Sequence, residues 1–283
     1  MSQGSKLDAL RGKYETPEAL ALDPLSIPLR FQHPMDQEVA AWVAAHLAYG
    51  RVAPMLRAIE GVLAPLGPFP ATWLRAADAA SIVQLRKALS TWKWRFHTGR
   101  DLVEWCLAWK TLDRESSGRG LEPHLAPAGN VDADHHLSAL VQRLRRELPV
   151  SHGLRFSLPD PLEGAACKRW RMFLRWMVRS RWPDLGLWKS YPLTSLIIPV
   201  DTHVARVSRY IGLSRRGTVD GRMALEITEA LRLLDPDDPL KYDFAIAHLG
   251  ILGDCPGVRR LPKCQDCPLV AICSAGASPG EER

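Results

Sequence analysis

Lys168–Arg181 reads KRWRMFLRWMVRSR, with six cationic residues and no acid. At about 3.6 residues per turn, Trp170, Phe173, Leu174 and Met177 share one face of a helix, and Lys168, Arg171, Arg175 and Arg179 fall opposite. The apolar face belongs to a core. The cationic stripe has two readings: contact with nucleic-acid phosphates, or a basic face satisfied by solvent or by acids from other helices. Gly164-Ala165-Ala166-Cys167 precede this helix, and small side chains there let a DNA backbone approach its N-terminal amides. Lys168 then sits in the first turn. Crowding by like charge favours loss of an ammonium proton, and a neutral amine is a nucleophile. Taken alone, such a lysine reads equally as a phosphate contact or a surface residue.

Outward from this helix, most segments repeat apolar residues at helical spacing. Asp36 is placed to cap a helix through Val39, Trp42, Val43, Leu47 and Ala48. Further helices are expected at 51–63, 80–91, 102–112, 132–148, 167–181, 202–211, 221–234 and 242–252. Residues 115–130 read as a loop, and 150–161 as irregular chain with Pro159 and Pro161. Leu196-Ile-Ile-Pro-Val200 is β-rich, but it is short and holds a proline. The fold class is all-α, with roughly ten loosely held residues at each end.

The chain has 283 residues, ten tryptophans and a formal net charge of +6, and its pI is about 9.1. This balance favours polyanionic partners. The start lacks the apolar region of a secretory leader, and no apolar run reaches bilayer length, so a cytoplasmic protein without membrane contact is expected. Cys106, in an apolar stretch, reads as a small core residue.

Four further cysteines stand as Cys255-x8-Cys264-x2-Cys267-x5-Cys273. Four thiolates from one short loop suit a single inorganic centre, either tetrahedral zinc or a [4Fe-4S] cluster. Zinc sites usually offer two tight cysteine pairs. One pair with a long flanking spacing favours the cluster, with zinc as the alternative. A disulfide framework does not fit a reducing compartment.

Ile197-Ile-Pro-Val-Asp201-Thr-His203-Val-Ala-Arg206 places an aspartate between an extended run and a helix. Helix capping is the plain reading of Asp201, and His203 and Arg206 face outward from that helix start.

Pro-Val-Asp201-Thr-His203-Val-x-Arg206-Val, followed by His248-Leu-Gly250 and Cys-x2-Cys-Pro268-Leu, resembles endonuclease III and the adenine glycosylase MutY. Both belong to the helix-hairpin-helix DNA glycosylase superfamily. The resemblance covers about residues 160–275. With Gly164-Ala-Ala-Cys-Lys168-Arg, Phe173-Leu-Arg-Trp-Met-Val and Tyr242-Asp-Phe-Ala, the whole pattern resembles an uncharacterised bacterial family within or beside that superfamily. The hairpin departs from the superfamily pattern, because Leu158-Pro159-Asp160-Pro161 leaves only Gly164 of its usual glycines. The long interval from Lys168 to Asp201 is instead similar to the archaeal 8-oxoguanine glycosylases, which use a lysine–aspartate pair.

The resemblance implies two helical subdomains around a DNA-binding cleft, closed by a C-terminal four-cysteine [4Fe-4S] loop. It divides the chain into an N-terminal extension (1–35), an N-terminal helical region (36–150), a glycosylase-like core (151–254), a cluster loop (255–275) and a tail (276–283). It implies a base-excision repair glycosylase acting on double-stranded DNA that holds a damaged base, which is flipped into the cleft. The essential aspartate falls on Asp201 and the lysine nucleophile on Lys168, giving a bifunctional enzyme with Schiff-base lyase activity. The cluster ligands fall on Cys255, Cys264, Cys267 and Cys273. Expected DNA contacts are Gly164, Arg171, Arg175, Arg179, His203, Arg206, Arg259, Arg260 and Lys263. Trp170 and Tyr242 are candidates to stack on the base. Asp243 is a candidate acceptor for guanine N1–H and its amine, which favours 8-oxoguanine. The alternatives are an oxidised-pyrimidine glycosylase and a non-catalytic iron–sulfur DNA-binding protein. A monomer, associated with the nucleoid through DNA, is expected.

Overall fold

A computed structural model describes residues 2–126, 132–258 and 260–275. The 276–283 tail lies outside them. Helix makes up 62% of the described residues and strand 2%, so the all-α reading holds. The α-helices in chain order are α1 (Gln3–Tyr14), α2 (Pro17–Ala21), α3 (Pro34–Leu47), α4 (Val52–Leu63), α5 (Pro70–Ala76), α6 (Ala79–Ala88), α7 (Gly99–Glu115) and α8 (Glu122–Leu125). They continue with α9 (Ala133–Glu147), α10 (His152–Ser157), α11 (Lys168–Val178), α12 (Thr202–Tyr210), α13 (Gly221–Arg232), α14 (Asp243–Ile251) and α15 (Leu261–Gln265). A two-residue hairpin, β1 (Lys93–Trp94) and β2 (His97–Thr98), precedes α7. The β-rich run 196–200 forms no strand. It crosses the core as extended chain with Leu196, Ile198 and Val200 buried, and the Ile198 amide bonds the Thr228 hydroxyl at 3.0 Å. Among the described residues no helix is long and apolar enough to cross a membrane.

Tryptophans organise the core. Trp42 of α3 and Trp105 of α7 stack at 4.1 Å, and each indole N–H donates to the other's backbone carbonyl. Trp170 of α11 meets Trp42 edge-on at 5.4 Å, which locks α11 against α3. Such a pair adds about 1 kcal/mol beyond area burial. Beneath them lies Glu38, fully buried, whose carboxylate accepts from Trp109 Nε1 at 2.9 Å, Trp188 Nε1 at 2.7 Å and the Leu121 amide at 3.0 Å. Gly120 is obligatory there, because a β-carbon would lie 2.3 Å from Glu38 Oε1 and the backbone φ is +67°.

Two expectations need correction. Asp36 caps nothing. His33 caps α3, and Asp36 is buried inside the first turn, where it accepts the Ala71 amide at 2.8 Å. Residues 3–14 are not loose either. They form α1, whose Leu7 and Leu10 are fully buried, and α1 packs on α14. Gln3 Nε2 donates to the Ile211 carbonyl at 2.8 Å, and the Tyr14 hydroxyl donates to Asp254 at 2.7 Å.

Burial pushes the Glu38 carboxyl up to about 7, against indole and amide donors that pull it down. The folded state therefore holds this proton more tightly than the unfolded chain. Its contribution is present below pH about 4.5 and is lost as pH rises through about 7, an effect of about 3 kcal/mol. Denaturant-unfolding curves of wild type and Glu38→Gln should diverge by that order between these pH values. Parallel curves would show that Glu38 is already ionised at the acid end.

Candidate active site and cysteine loop

A cleft of about 810 Å³ opens between the α3–α4 junction, the start of α11, the approach to α12, and α14. Lys168 and Asp201, 33 positions apart in the chain, both line it. Lys168 begins α11 after Cys167, which takes a left-handed turn at φ +49°. Its Nζ donates to the Ala48 carbonyl at 3.3 Å. Asp201 caps α12, with Oδ1 accepting the His203 and Val204 amides at 2.8 Å each. Its other oxygen has no hydrogen-bond partner among the described residues. Capping and exposure to the cleft thus coexist in one side chain.

The stretch that replaces the glycine hairpin is a rigid turn. Asp160 is fully buried and accepts from Ser138 Oγ at 3.0 Å, Gln142 Nε2 at 3.1 Å and the Leu162 amide at 2.9 Å, which pins it to α9. Gly164 follows in the left-handed region at φ +85°, exposed, with its carbonyl accepting the Gly221 amide. Ala165 and Ala166 line the cleft.

The cationic stripe of α11 is not a surface. Arg171 forks onto Asp134 at 3.1–3.2 Å. Arg175 bonds Asp184 at 3.1 Å and also Asp243, and Arg179 bonds Asp184 and Asp238 at 3.0 Å. All three arginines are at most 4% exposed. A guanidinium held between buried carboxylates offers nothing to a phosphate, so Arg171, Arg175 and Arg179 are corrected to internal ion pairs. Asp243, Arg175, Asp184, Arg179 and Asp238 form an alternating ladder, and the exposed Arg181 lies 3.9 Å from Asp238 at its outer end. Burial pushes the Asp243 carboxyl up to about 6, opposed by Arg175.

Trp170 and Tyr242 are also corrected. Both are buried away from the cleft, and the Trp170 indole donates to the Ser157 carbonyl. Asp243 does line it. His203 lines it too, packed on α14, where a β-carbon at Gly250 would lie 2.5 Å from His203 Cβ. Arg206 turns inward and donates to the Cys255 carbonyl at 3.2 Å. Arg260 and Lys263 are exposed, with Lys263 Nζ donating to the Gly253 carbonyl. Arg259 lies outside the described residues.

Sequence reasoning missed Arg169. It lines the cleft beside Lys168, stacks over Phe156 at 3.7 Å and has no carboxylate partner among the described residues. Burial lowers its pKa to about 10, which leaves it cationic near neutrality. Its place between the two faces of the helix was the available signal. Tyr49, Asp23 and His248 also line the cleft.

Cys255, Cys264, Cys267 and Cys273 line one void of about 40 Å³, walled by apolar residues including Val207, Leu249 and Leu269. No disulfide is formed among the described residues. Burial raises the Cys267 thiol, and the other three sulfurs add to the effect. No three His, Cys, Asp or Glu side chains among the described residues are grouped closely enough for a single metal ion.

Gly250→Ala should lower stability by about 1–3 kcal/mol through overpacking on His203. Thermal melting should recover part of that loss in the double variant with His203→Ala, and an unchanged melting temperature in the single variant would show that His203 has room.

A search of curated proteins finds no match. Residues 23–252 match the family model described as Protein of unknown function (DUF2400), and the chain belongs to that family.

Proposed function

We propose that this protein is a DNA N-glycosylase that removes an oxidised base from double-stranded DNA and then nicks the strand as a lyase. The observation that carries the reading is the shared cleft: an amine at a helix start and a half-free carboxylate line one cavity large enough for a nucleotide. The resemblance to helix-hairpin-helix glycosylases supports the same pairing. A base inside the stack is out of reach, so the nucleotide must be extruded into the cleft. Lys168, Arg169 and Arg51 line it without carboxylate partners among the described residues, which favours a polyanion.

In this mechanism the bond from C1′ to the base breaks, the base leaves with the electron pair, and positive charge develops at C1′. The Asp201 carboxylate stabilises that charge. The Lys168 ammonium gives a proton to the departing base and the freed amine adds to C1′; its excess proton passes through Asp201 to O4′ as the C1′–O4′ bond breaks and a Schiff base forms. Loss of a C2′ proton then expels the 3′ phosphate by β-elimination.

Four soft sulfur donors around an apolar void fit a thiolate-bound [4Fe-4S] cluster. When bound, such a group would order the loop that Arg206 and Tyr210 tie to α12.

Borohydride reduction during incubation with a panel of lesion duplexes should trap wild type on DNA, and 8-oxoguanine is the first lesion to try. Lys168→Gln should give no adduct, and Asp201→Asn should retain DNA binding while losing base release by ~10²-fold or more. DNA binding with no activity on any lesion would instead support a non-catalytic binding module. Protein purified without oxygen should be brown and hold about four irons per chain, and Cys267→Ser should lose them. Colourless protein loaded with zinc would overturn the cluster.

A further inference from the structure

Beyond Lys168 and Asp201, the same cleft holds a group of buried polar atoms with no partners. Asp243 is 1% exposed. Arg175 takes its Oδ2, and Oδ1 has no hydrogen-bond partner. His248, one and a half turns along α14, is also 1% exposed. Its Nδ1 lies 2.9 Å from the Phe244 carbonyl. A carbonyl only accepts, so Nδ1 carries the hydrogen and Nε2 presents a lone pair. Nε2 has no hydrogen bond of good geometry among the described residues; it faces Asp23 Oδ2 at 3.6 Å and the Ala19 carbonyl, both acceptors, while Asp23 Oδ1 is occupied by the Leu25 amide. Burial lowers the His248 pKa, which keeps the ring neutral. The Phe244 ring stacks on His248 at 3.8 Å and also lines the cleft.

Acceptors left unmatched at this depth each cost about 1–3 kcal/mol, so a built site is expected to meet donors there. We infer that Asp243, His248 and Asp23 form an acceptor-only wall that reads the donor edge of a guanine-type base, its N1–H and 2-amino group. An NH2 group carries two hydrogens and can satisfy His248 Nε2 and Asp23 Oδ2 across their gap. The N1–H is left for Asp243 Oδ1. Oxidised uracil and thymine present one N–H flanked by two carbonyls on the corresponding edge. Those carbonyls would meet carboxylates, so the wall selects against them. The inference rests on the glycosylase reading and adds the substrate class.

The test compares release of 8-oxoguanine with release of 8-oxohypoxanthine, which lacks only the 2-amino group, from otherwise identical duplexes. In wild type kcat/KM should favour 8-oxoguanine by ~10-fold or more, because a site built to bond a donor rejects the analogue without it. His248→Leu and Asp23→Asn should bring the ratio to within about 2-fold of unity. A purely structural role would lower both rates together and leave the ratio intact. Should His248→Leu fail to fold, Asp23→Asn gives the same reading from the other side of the gap. Equal wild-type rates on the two bases, or a ratio that survives both substitutions, would overturn the wall and leave the glycosylase in place. Release of no base from any duplex would remove the glycosylase reading itself.

Discussion

The buried ladder Asp243–Arg175–Asp184–Arg179–Asp238 governs the placement of everything around the cleft. It joins α11 to the chain at 181–188, to the turn before α14, and to α14 itself. Removing one member of such a set leaves an uncompensated charge in the interior, which costs about 3–5 kcal/mol. Apolar packing alone would let α11 slide or rotate against its neighbours. Ionic partners at three fixed points specify one register, and that register sets where Lys168 begins the helix. The tryptophan stack does the same on the opposite side through Trp170 and Trp42.

The two ends of the ladder differ. Asp238 is held by Arg179 and faces the exposed Arg181 at 3.9 Å, and Asp184 lies between Arg175 and Arg179. Asp243 has a single arginine on one oxygen and the cleft beside the other. A structural network thus terminates in a polar group at a cavity wall, and stability and recognition share that residue.

The longer amphipathic helices were readable because apolar spacing is local, and their observed ends fall within a few residues of those expected; α1 and the short α2, α5, α8 and α10 were not expected. Asp201 was readable for the same reason, since capping involves its own next three residues. The arginines were misread because their partners are remote: Asp184 lies 9 residues away, Asp238 59 and Asp243 68. A helical wheel shows where a charge points, not what folds back to meet it. Trp170 and Tyr242 failed similarly, as an aromatic ring suits a core and a base equally. His248 was visible only as part of a motif; its free nitrogen depends on a hydrogen bond within its own helix.

The α1 segment is fastened to parts of the chain made more than 200 residues later. Gln3 reaches Ile211, Lys13 reaches the Asp266 carbonyl, and Tyr14 reaches Asp254, over 208, 253 and 240 residues. Such long-range closures slow folding, since the loop entropy is lost before the contact is gained. During synthesis Leu7 and Leu10 have no native surface to cover them until α14 has left the ribosome. The chain therefore carries Leu7 and Leu10 uncovered until α14 emerges, an interval in which non-native contacts compete.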